Sequence, residues 1–348
     1  MNEEDKLVPA DDLRDWVSSA LQHVGLPASD ADTAARLLIQ TSLWGIDSHG
    51  VARVPHYLDR ISQGSILPKP ALHFMRTAGA TGQVDGGDGL GLVVCEFAMT
   101  RAIELAREAG AGVVGISNSS HCGAVGLYAR QAVAAGMVGI AFTHSDSFVV
   151  PHGGRRAFFG TNPIAIAIPT NDPTRPLCAD MATSIAPWNR IMNARCEGET
   201  VPLGLGVDAA GDDATDPHKI VAVKPMAEHK GYALAFLIDM LCGPLNGMNF
   251  GPHLTPMYRE LDRPRRLGSL MIAIDPSRFA GGATLANSAT DAIREVTQQA
   301  DGILFPGEPE YTSEDKRRVK GIPVAVGLRG EMAEWSARLA LPLPPQLA

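Results

Sequence analysis

The glycines Gly110-Ala111-Gly112-Val113-Val114-Gly115 match the spacing G-x-G-x-x-G letter for letter, but they stand in the wrong order for the unit that spacing belongs to. In a βαβ dinucleotide fold the motif follows a strand and opens a helix, so that the helix N-terminus meets the pyrophosphate. Here a helical run from about Leu90 to Ala109 precedes the glycines, and Gly112–Ile116 reads as a buried strand. Gly110 is then a helix C-cap and Gly112 part of the turn into the strand. No second match occurs in the 348 residues. A dinucleotide, if the chain takes one, is not held by a Rossmann fold.

The rest of the chain divides by periodicity. The first 75 residues are helical in pattern: Asp11–Val24, Ser29–Leu43, and a third helix from about Val51 to Ile61 ending near Gly64. Ser29 is placed to N-cap the second, with Asp30 and Asp32 in its first turn. Leu67-Pro68-Lys69-Pro70 reads as a linker. Beyond it, β runs at His73–Arg76, Gly112–Ile116, Val138–Phe142, Ile164–Ile168, Leu177–Asp180 and Leu267–Ile274 alternate with helices, including Ala124–Ala135, Lys230–Leu241 and Ala289–Gln299. Gly198–Pro225 is polar, rich in Asp and Gly, and mostly loop. From Thr312 the chain is polar, then helical, and ends in a Pro-rich tail. The expected organisation is a helical domain over 1–75, an α+β region over 76–310 with room for a smaller inserted subdomain, and a C-terminal helical segment over 311–348 packing on the first.

A net charge of −8 and a pI near 5.7 argue against a nucleic-acid partner. The tightest basic cluster, Arg263-Pro264-Arg265-Arg266, reads as a solvated loop. Five cysteines, an odd number with no C-x-x-C, suit reduced thiols and neither a disulfide framework nor a zinc site. Cys122 reads as a small packing residue. No His or carboxylate pair has metal-ligand spacing, so no metal is expected. The acidic start lacks an apolar signal core, and no apolar stretch is long enough to span a bilayer, so a cytoplasmic protein away from membranes is expected.

The chemistry-bearing residues gather in two blocks. Asn118-Ser119-Ser120-His121-Cys122-Gly123-Ala124-Val125 lies where a strand gives way to a helix. His121 is there either an acid/base group or a packed turn histidine; the Ser, Cys and Gly around it favour proton transfer. Asp47-Ser48-His49-Gly50 holds a second histidine, with Arg53 four residues on. Ser48 and His49 form either a hydrogen-bonded acid/base pair or a helix start. Arg53 shares a helix face with Tyr57 and has the planar fork that grips a carboxylate, unless it is a surface arginine. Two histidines and one arginine suit a dehydrogenase of α-hydroxy acids. Gly153-Gly154 and Gly160-Thr161-Asn162-Pro163 present backbone N–H groups to an anion, or are plain turns. Lys230-Gly231 opens an apolar helix, where a lysine can meet an anionic ligand. Pro306-Gly307-Glu308 is a turn that serves equally as a connector.

Taken together, Asp47–Gly50, Asn118–Val125, Gly160–Pro163, Asp180-Met181-Ala182-Thr183, Lys230-Gly231-Tyr232 and Pro306–Glu308 resemble, in order and over nearly the whole chain, the malate/L-lactate dehydrogenase family of non-Rossmann NAD(P)-dependent oxidoreductases. The resemblance implies an α+β fold, with a helical N-terminal part and a cofactor-binding domain on a mixed, largely antiparallel sheet. It also implies a homodimer or higher homo-oligomer. By the same carry-over Ser145, Asp180, Met181, Ala182, Lys230, Gly231, Pro306, Gly307 and Glu308 would contact the dinucleotide. Ser48, His49, Arg53, Tyr57, His121 and Thr161 would surround the substrate.

Gly45-Ile46, Trp188, Phe250-Gly251, Met257-Tyr258 and Leu267-Gly268 leading to Asp275-Pro276 are most similar to the ureidoglycolate-oxidising members, which implies oxidation of (S)-ureidoglycolate to oxalurate. Other members oxidise malate, lactate or sulfolactate, or reduce cyclic imines and keto sugars. Some relatives carry an aspartate about ten residues after the position of Asp180; here stand Asn189 and Arg190, which leaves His49 less supported and favours His121 as the proton acceptor. Arg53 would then fix the substrate carboxylate, with Ser48 and His49 on the reacting oxygen. Asp146, beside Ser145, would repel a 2′-phosphate and favour NAD over NADP. The rival from another class is a cofactor-binding protein without turnover.

Overall fold

The computed structural model of the chain describes residues 5–348, and the acidic start Met1–Glu4 lies outside the described residues. Strand β1 (Lys6–Val8) leads into α1 (Ala10–His23) and α2 (Ala28–Leu43). α1 buries Leu13, Trp16, Val17, Ala20 and Leu21, one stripe of a 3.6-residue period. Two 3₁₀ turns, Asp47–His49 and Val51–Arg53, carry the chain into α3 (Val54–Ser62). Next come β2 (His73–Arg76), β3 (Thr81–Asp85), α4 (Gly91–Ala109), β4 (Ala111–Ser119), α5 (Gly126–Ala134) and β5 (Val138–Thr143). They are followed by β6 (Ile164–Ile168), β7 (Leu177–Met181), α6 (Trp188–Glu197), the short pair β8 (Gly206–Val207) and β9 (Ala222–Val223), and α7 (His229–Cys242). β10 (Leu267–Ile274), α8 (Gly282–Thr297), α9 (Glu308–Lys320), β11 (Ile322–Val324) and α10 (Val326–Leu339) complete the order.

Among the described residues the main sheet has seven strands in the order β2-β3-β4-β10-β5-β6-β7. Only β3 and β4 run parallel; every other neighbour pair is antiparallel. The fold is therefore α+β on a mixed, largely antiparallel sheet. Glycines let helices close on both faces of β4. A Cβ on Gly112 would stand 2.0 Å from the Ala102 carbonyl of α4, and one on Gly115 would stand 1.9 Å from the Asn246 side chain beyond α7. Coverage on both sides makes the central strands read as continuous apolar runs, without polar alternation. Gly110 caps α4 at φ +87°, so the G-x-G-x-x-G run is a helix-to-strand turn, as its order in the sequence requires.

The chain ends meet. β1 pairs antiparallel with β11, Trp16 Nε1 donates to Ser336 Oγ at 2.9 Å, and Arg317 bonds the Asp47 carboxylate and the Ser42 carbonyl. One apolar core runs from α1 and α2 through the sheet to α10. A second, around Phe159, Ile191, Ile220 and Val223, lies under the 198–225 segment.

Several boundaries differ from the sequence reading. Ser29 is not the N-cap of α2: the helix starts at Ala28 after Pro27, and the Ser29 hydroxyl bonds Asp30 instead. Proline presets the extended entry that a cap residue otherwise supplies. α6 falls where no helix was expected, α8 begins seven residues earlier, and α9 opens at Glu308 ahead of Thr312. β1 and β11 are three residues each, too short to show a period.

Candidate active site

Three chain crossings build the site. The first is the pair of 3₁₀ turns after α2. The Ser48 hydroxyl lies 2.8 Å from His49 Nδ1, and the Arg53 guanidinium folds back, with Nε donating to the Ser48 carbonyl. Arg53 Nη1 donates to Tyr258 Oη at 3.1 Å; Nη2 has no partner among the described residues.

The second crossing is the end of β4. His121 stands two residues past the strand's last residue, Ser119, and Gly123, at φ +70°, turns the chain toward α5. The Tyr57 hydroxyl lies 2.6 Å from His121 Nδ1, and Gly123 N donates to the same atom at 3.3 Å. Nε2 is thereby left without a partner among the described residues. The rings of His49 and His121 stack at 5.6 Å between centroids. Cys122 is buried in the core, as a packing residue should be.

The third crossing joins the end of β5 to the 160–163 turn. The Ser145 hydroxyl accepts from Thr161 N at 3.2 Å, and Asn162 Oδ1 accepts from Ser145 N at 3.2 Å. Thr183 holds the turn from β7, donating through N and Oγ1 to the Thr161 carbonyl. Behind it, His144 Nδ1 donates to Asp239 Oδ1 at 2.9 Å while its Nε2 accepts from Gly268 N at 2.9 Å, both side chains fully buried. Those partners fix the tautomer and pin β5, α7 and β10 together.

These crossings enclose a cavity of about 360 Å3. Of the sequence-nominated residues, Ser48, His49, Arg53, His121, Ser145, Thr161, Asp180 and Ala182 line it. Tyr57 stands fully buried behind His121 and lines no wall. Met181 faces solvent on the edge strand β7, and Lys230 is exposed at the start of α7 with Gly231 buried beside it. Pro306-Gly307-Glu308 runs against β7, where Cys178 N donates to the Pro306 carbonyl at 2.9 Å, so these residues flank the cavity without lining it. Phe148, Trp188, Asn189, Met257, Tyr258 and Glu310 line it as well. No spacing in the sequence marks these as lining residues. Trp188, Met257 and Tyr258 figure in the sequence only as points of resemblance to the ureidoglycolate-oxidising members, and for Phe148 aromatic character is the available signal.

Burial first, then the Arg53 charge, lowers His49 to about 4. Burial, His49 and Arg53 hold His121 well below its ordinary value, so both rings are neutral near pH 7. Burial keeps the Tyr57 hydroxyl protonated, and it lifts Asp180 to about 6 against the opposing hydrogen bond from Gly126 N. Arg265 corrects the reading of 263–266 as a solvated loop: its guanidinium is buried against the Asp146 carboxylate and bonds the Thr255 carbonyl. Asp146 also accepts from Met257 N at 3.0 Å. Its charge is therefore paired, and it cannot repel a 2′-phosphate as a free carboxylate would.

Among the described residues no group of His, Cys, Asp or Glu could hold a metal, and no helix is long and apolar enough to cross a membrane. The cavity wall does fit a nucleotide sugar or carboxamide. Asp180 engages Gly126 N through Oδ2, leaving the other oxygen of a half-buried carboxylate for an incoming donor.

Comparison with known proteins agrees with this architecture. The family profile described as malate/L-lactate dehydrogenase matches residues 8–333. The chain is 34% identical over 317 residues to the ureidoglycolate dehydrogenase (NAD(+)) of Escherichia coli K12, covering 90% of each. It is 35% identical to the L-sulfolactate dehydrogenase of Methanothermobacter thermautotrophicus, over 88% of this chain and 89% of that protein. The crystal structure of malate dehydrogenase from Entamoeba histolytica superposes with a TM-score of 0.91 at 31% identity, covering 98% of this chain and 99% of that one. A helical N-terminal part, a mixed sheet without a Rossmann unit, and this match along the chain lead to one conclusion: the chain belongs to the malate/L-lactate dehydrogenase family of oxidoreductases.

Proposed function

We propose that the protein is an NAD-dependent dehydrogenase that oxidises a small 2-hydroxy acid, with (S)-ureidoglycolate, giving oxalurate, as the first substrate to test. The observation that carries this is the meeting of Ser48, His49, Arg53 and His121 in one cavity with Ser145, Thr161, Asp180 and Ala182. Arg53 binds the substrate carboxylate through its remaining N–H groups and so orients the carbinol carbon. His121, neutral, takes the hydroxyl proton at Nε2 in the tautomer that carries Nδ1–H, which donates to Tyr57 and gives up the contact from Gly123 N. His49 and Ser48 hydrogen-bond the reacting oxygen. Ser145, Asp180 and Ala182 on the wall, with Met181, Lys230, Gly231 and Pro306–Glu308 around it, are the residues to hold the dinucleotide. When bound there, nicotinamide supplies the hydride acceptor.

The choice of NAD rests on the similar Escherichia coli enzyme, whose name specifies it, and not on Asp146. A homodimer is supported by the exposed Phe236, Leu237 and Leu241 on α7 with Leu245 beyond it, an apolar face suited to a second copy. Five free cysteines suit a reducing, cytoplasmic compartment. The test is a spectrophotometric panel of ureidoglycolate, malate, lactate and sulfolactate with NAD and with NADP. Highest kcat/KM for ureidoglycolate with NAD supports the proposal. Preference for another acid moves the substrate within the family, and cofactor binding without turnover of any acid defeats the enzymatic reading.

A further inference from the structure

Resting on the 2-hydroxy-acid reading, we propose that Tyr258, Asn189 and the stacked Phe148–Trp188 pair restrict the site to singly charged substrates. These are 2-hydroxy monocarboxylates whose far end is planar and uncharged, amide- or urea-like, taken in preference to dianionic hydroxy acids.

The wall chemistry carries this. Among the described residues lining the cavity, Arg53 is the one permanent cation. Two of its donors are already spent on the Ser48 carbonyl and on Tyr258, so one guanidinium edge remains for one carboxylate. The other charged groups on the wall are the carboxylates Asp146, Asp180 and Glu310. Asp146 has its own counter-charge in Arg265. A second carboxylate or sulfonate on the substrate would meet no second cation on this wall, and an unpaired buried charge is strongly disfavoured.

What lies beside Arg53 instead is polar, neutral and flat. Tyr258 takes the Arg53 contact and donates onward to Asn189 Oδ1 at 3.4 Å. Asn189 Nδ2 has no partner among the described residues and can donate to a carbonyl. Phe148 and Trp188 stack at 5.4 Å and 19°, with Tyr258 6.5 Å from Phe148, giving a π surface against which a planar group packs. The next cation along the chain, Arg190, is exposed and lines an adjoining cavity of about 400 Å3, which shares Ser48 and Asn189 with the first and sets the carboxylates Glu197 and Glu199 on the same wall as its charge.

The test compares two nearly isosteric substrates, malate and its 4-amide, by kcat/KM on the full-length protein with nicotinamide cofactor. The 4-amide is expected to exceed malate by at least about tenfold. Asn189→Arg supplies the missing cation, and the malate-to-amide ratio should rise at least about tenfold. Malate oxidised as well as the amide by the parent protein, or a ratio unmoved by Asn189→Arg, overturns the charge selection and leaves the dehydrogenase reading standing. Failure to oxidise either of these or any other 2-hydroxy acid removes that reading and this proposal with it.

Discussion

The Tyr57 hydroxyl lies 2.6 Å from Nδ1 of His121, on the side of the ring away from the cavity. A hydroxyl can donate or accept, so Tyr57 stays bonded to His121 whether the imidazole proton sits on Nδ1 or Nε2. It holds the ring both in the neutral Nδ1–H form and after Nε2 has taken the substrate proton, when both ring nitrogens carry hydrogen. His121→Ala should therefore lower kcat by about a hundredfold or more with NAD binding retained, and Tyr57→Phe by about tenfold with little change in KM. Steady-state kinetics with cofactor titration decide this; near-normal kcat in His121→Ala would remove the residue from proton transfer.

Arg53 should act on binding more than on turnover. Lysine at this position keeps the charge but cannot reach Ser48, Tyr258 and a carboxylate together. Arg53→Lys is expected to raise KM by about tenfold or more and to change kcat less, and Arg53→Leu to raise KM further. An unchanged KM in the leucine variant would show that the carboxylate binds elsewhere.

Stability should fall on mild acidification. Burial, with Arg53 next, holds His49 at about 4; burial, with Arg60 and Arg53, holds His56 at about 3; and burial keeps His121 well below 6.5. Between pH 6.5 and 4 the unfolded chain protonates these rings and the folded chain does not, so stability is lost as pH falls across that window. Asp180 works in the opposite sense, because burial raises it to about 6 and the folded chain takes up its proton first. Burial also raises Asp59, Asp88 and Glu331, which are less enclosed, and the three deeply buried histidines outweigh these carboxyls. A tenfold change in proton affinity is worth about 1.4 kcal/mol, so the weakened basicity of His49 alone opposes acid by roughly 3 kcal/mol once the unfolded ring is charged. Thermal unfolding should give a flat Tm from pH 7 to 8 and a drop of several degrees by pH 5; a Tm that rises on acidification contradicts this.

The Asp146–Arg265 pair should be a point of fragility. Arg265→Met leaves a buried carboxylate with only the Met257 amide, a loss of about 3–5 kcal/mol. The double variant Asp146→Leu/Arg265→Met should recover much of that loss, because it removes both charges. Chemical denaturation of the three proteins measures it, and a single variant as stable as the parent would show that the carboxylate finds another partner.

Periodic features were readable from the chain itself. α1, α2, α4 and the strands from β4 to β7 follow from apolar spacing, and Gly110 follows from the order of helix and strand. The family motifs brought Ser48, His49, Arg53 and His121 together although 68 residues separate Arg53 from His121. Pairings without a local signal stayed hidden. Arg265 looked solvated because its partner lies 119 residues away. Glu310 and Tyr258 reach the cavity from helix and loop positions that no spacing rule singles out. Met181 and Lys230 belong to recognisable motifs, yet their side chains face outward.

The insertion of β10 between β4 and β5 sets an order of assembly. During synthesis the strands leading to His121 and to Ser145 emerge early, but the strand that welds them is Leu267–Ile274, bonded to Thr143 across 126 residues. Until it emerges from the ribosome, both halves carry an open, apolar hydrogen-bonding edge. Nascent or truncated chains that stop short of it should be clients for chaperones and prone to aggregate, with no partial activity, because the two histidine-bearing and serine-bearing ends have nothing to hold them in register.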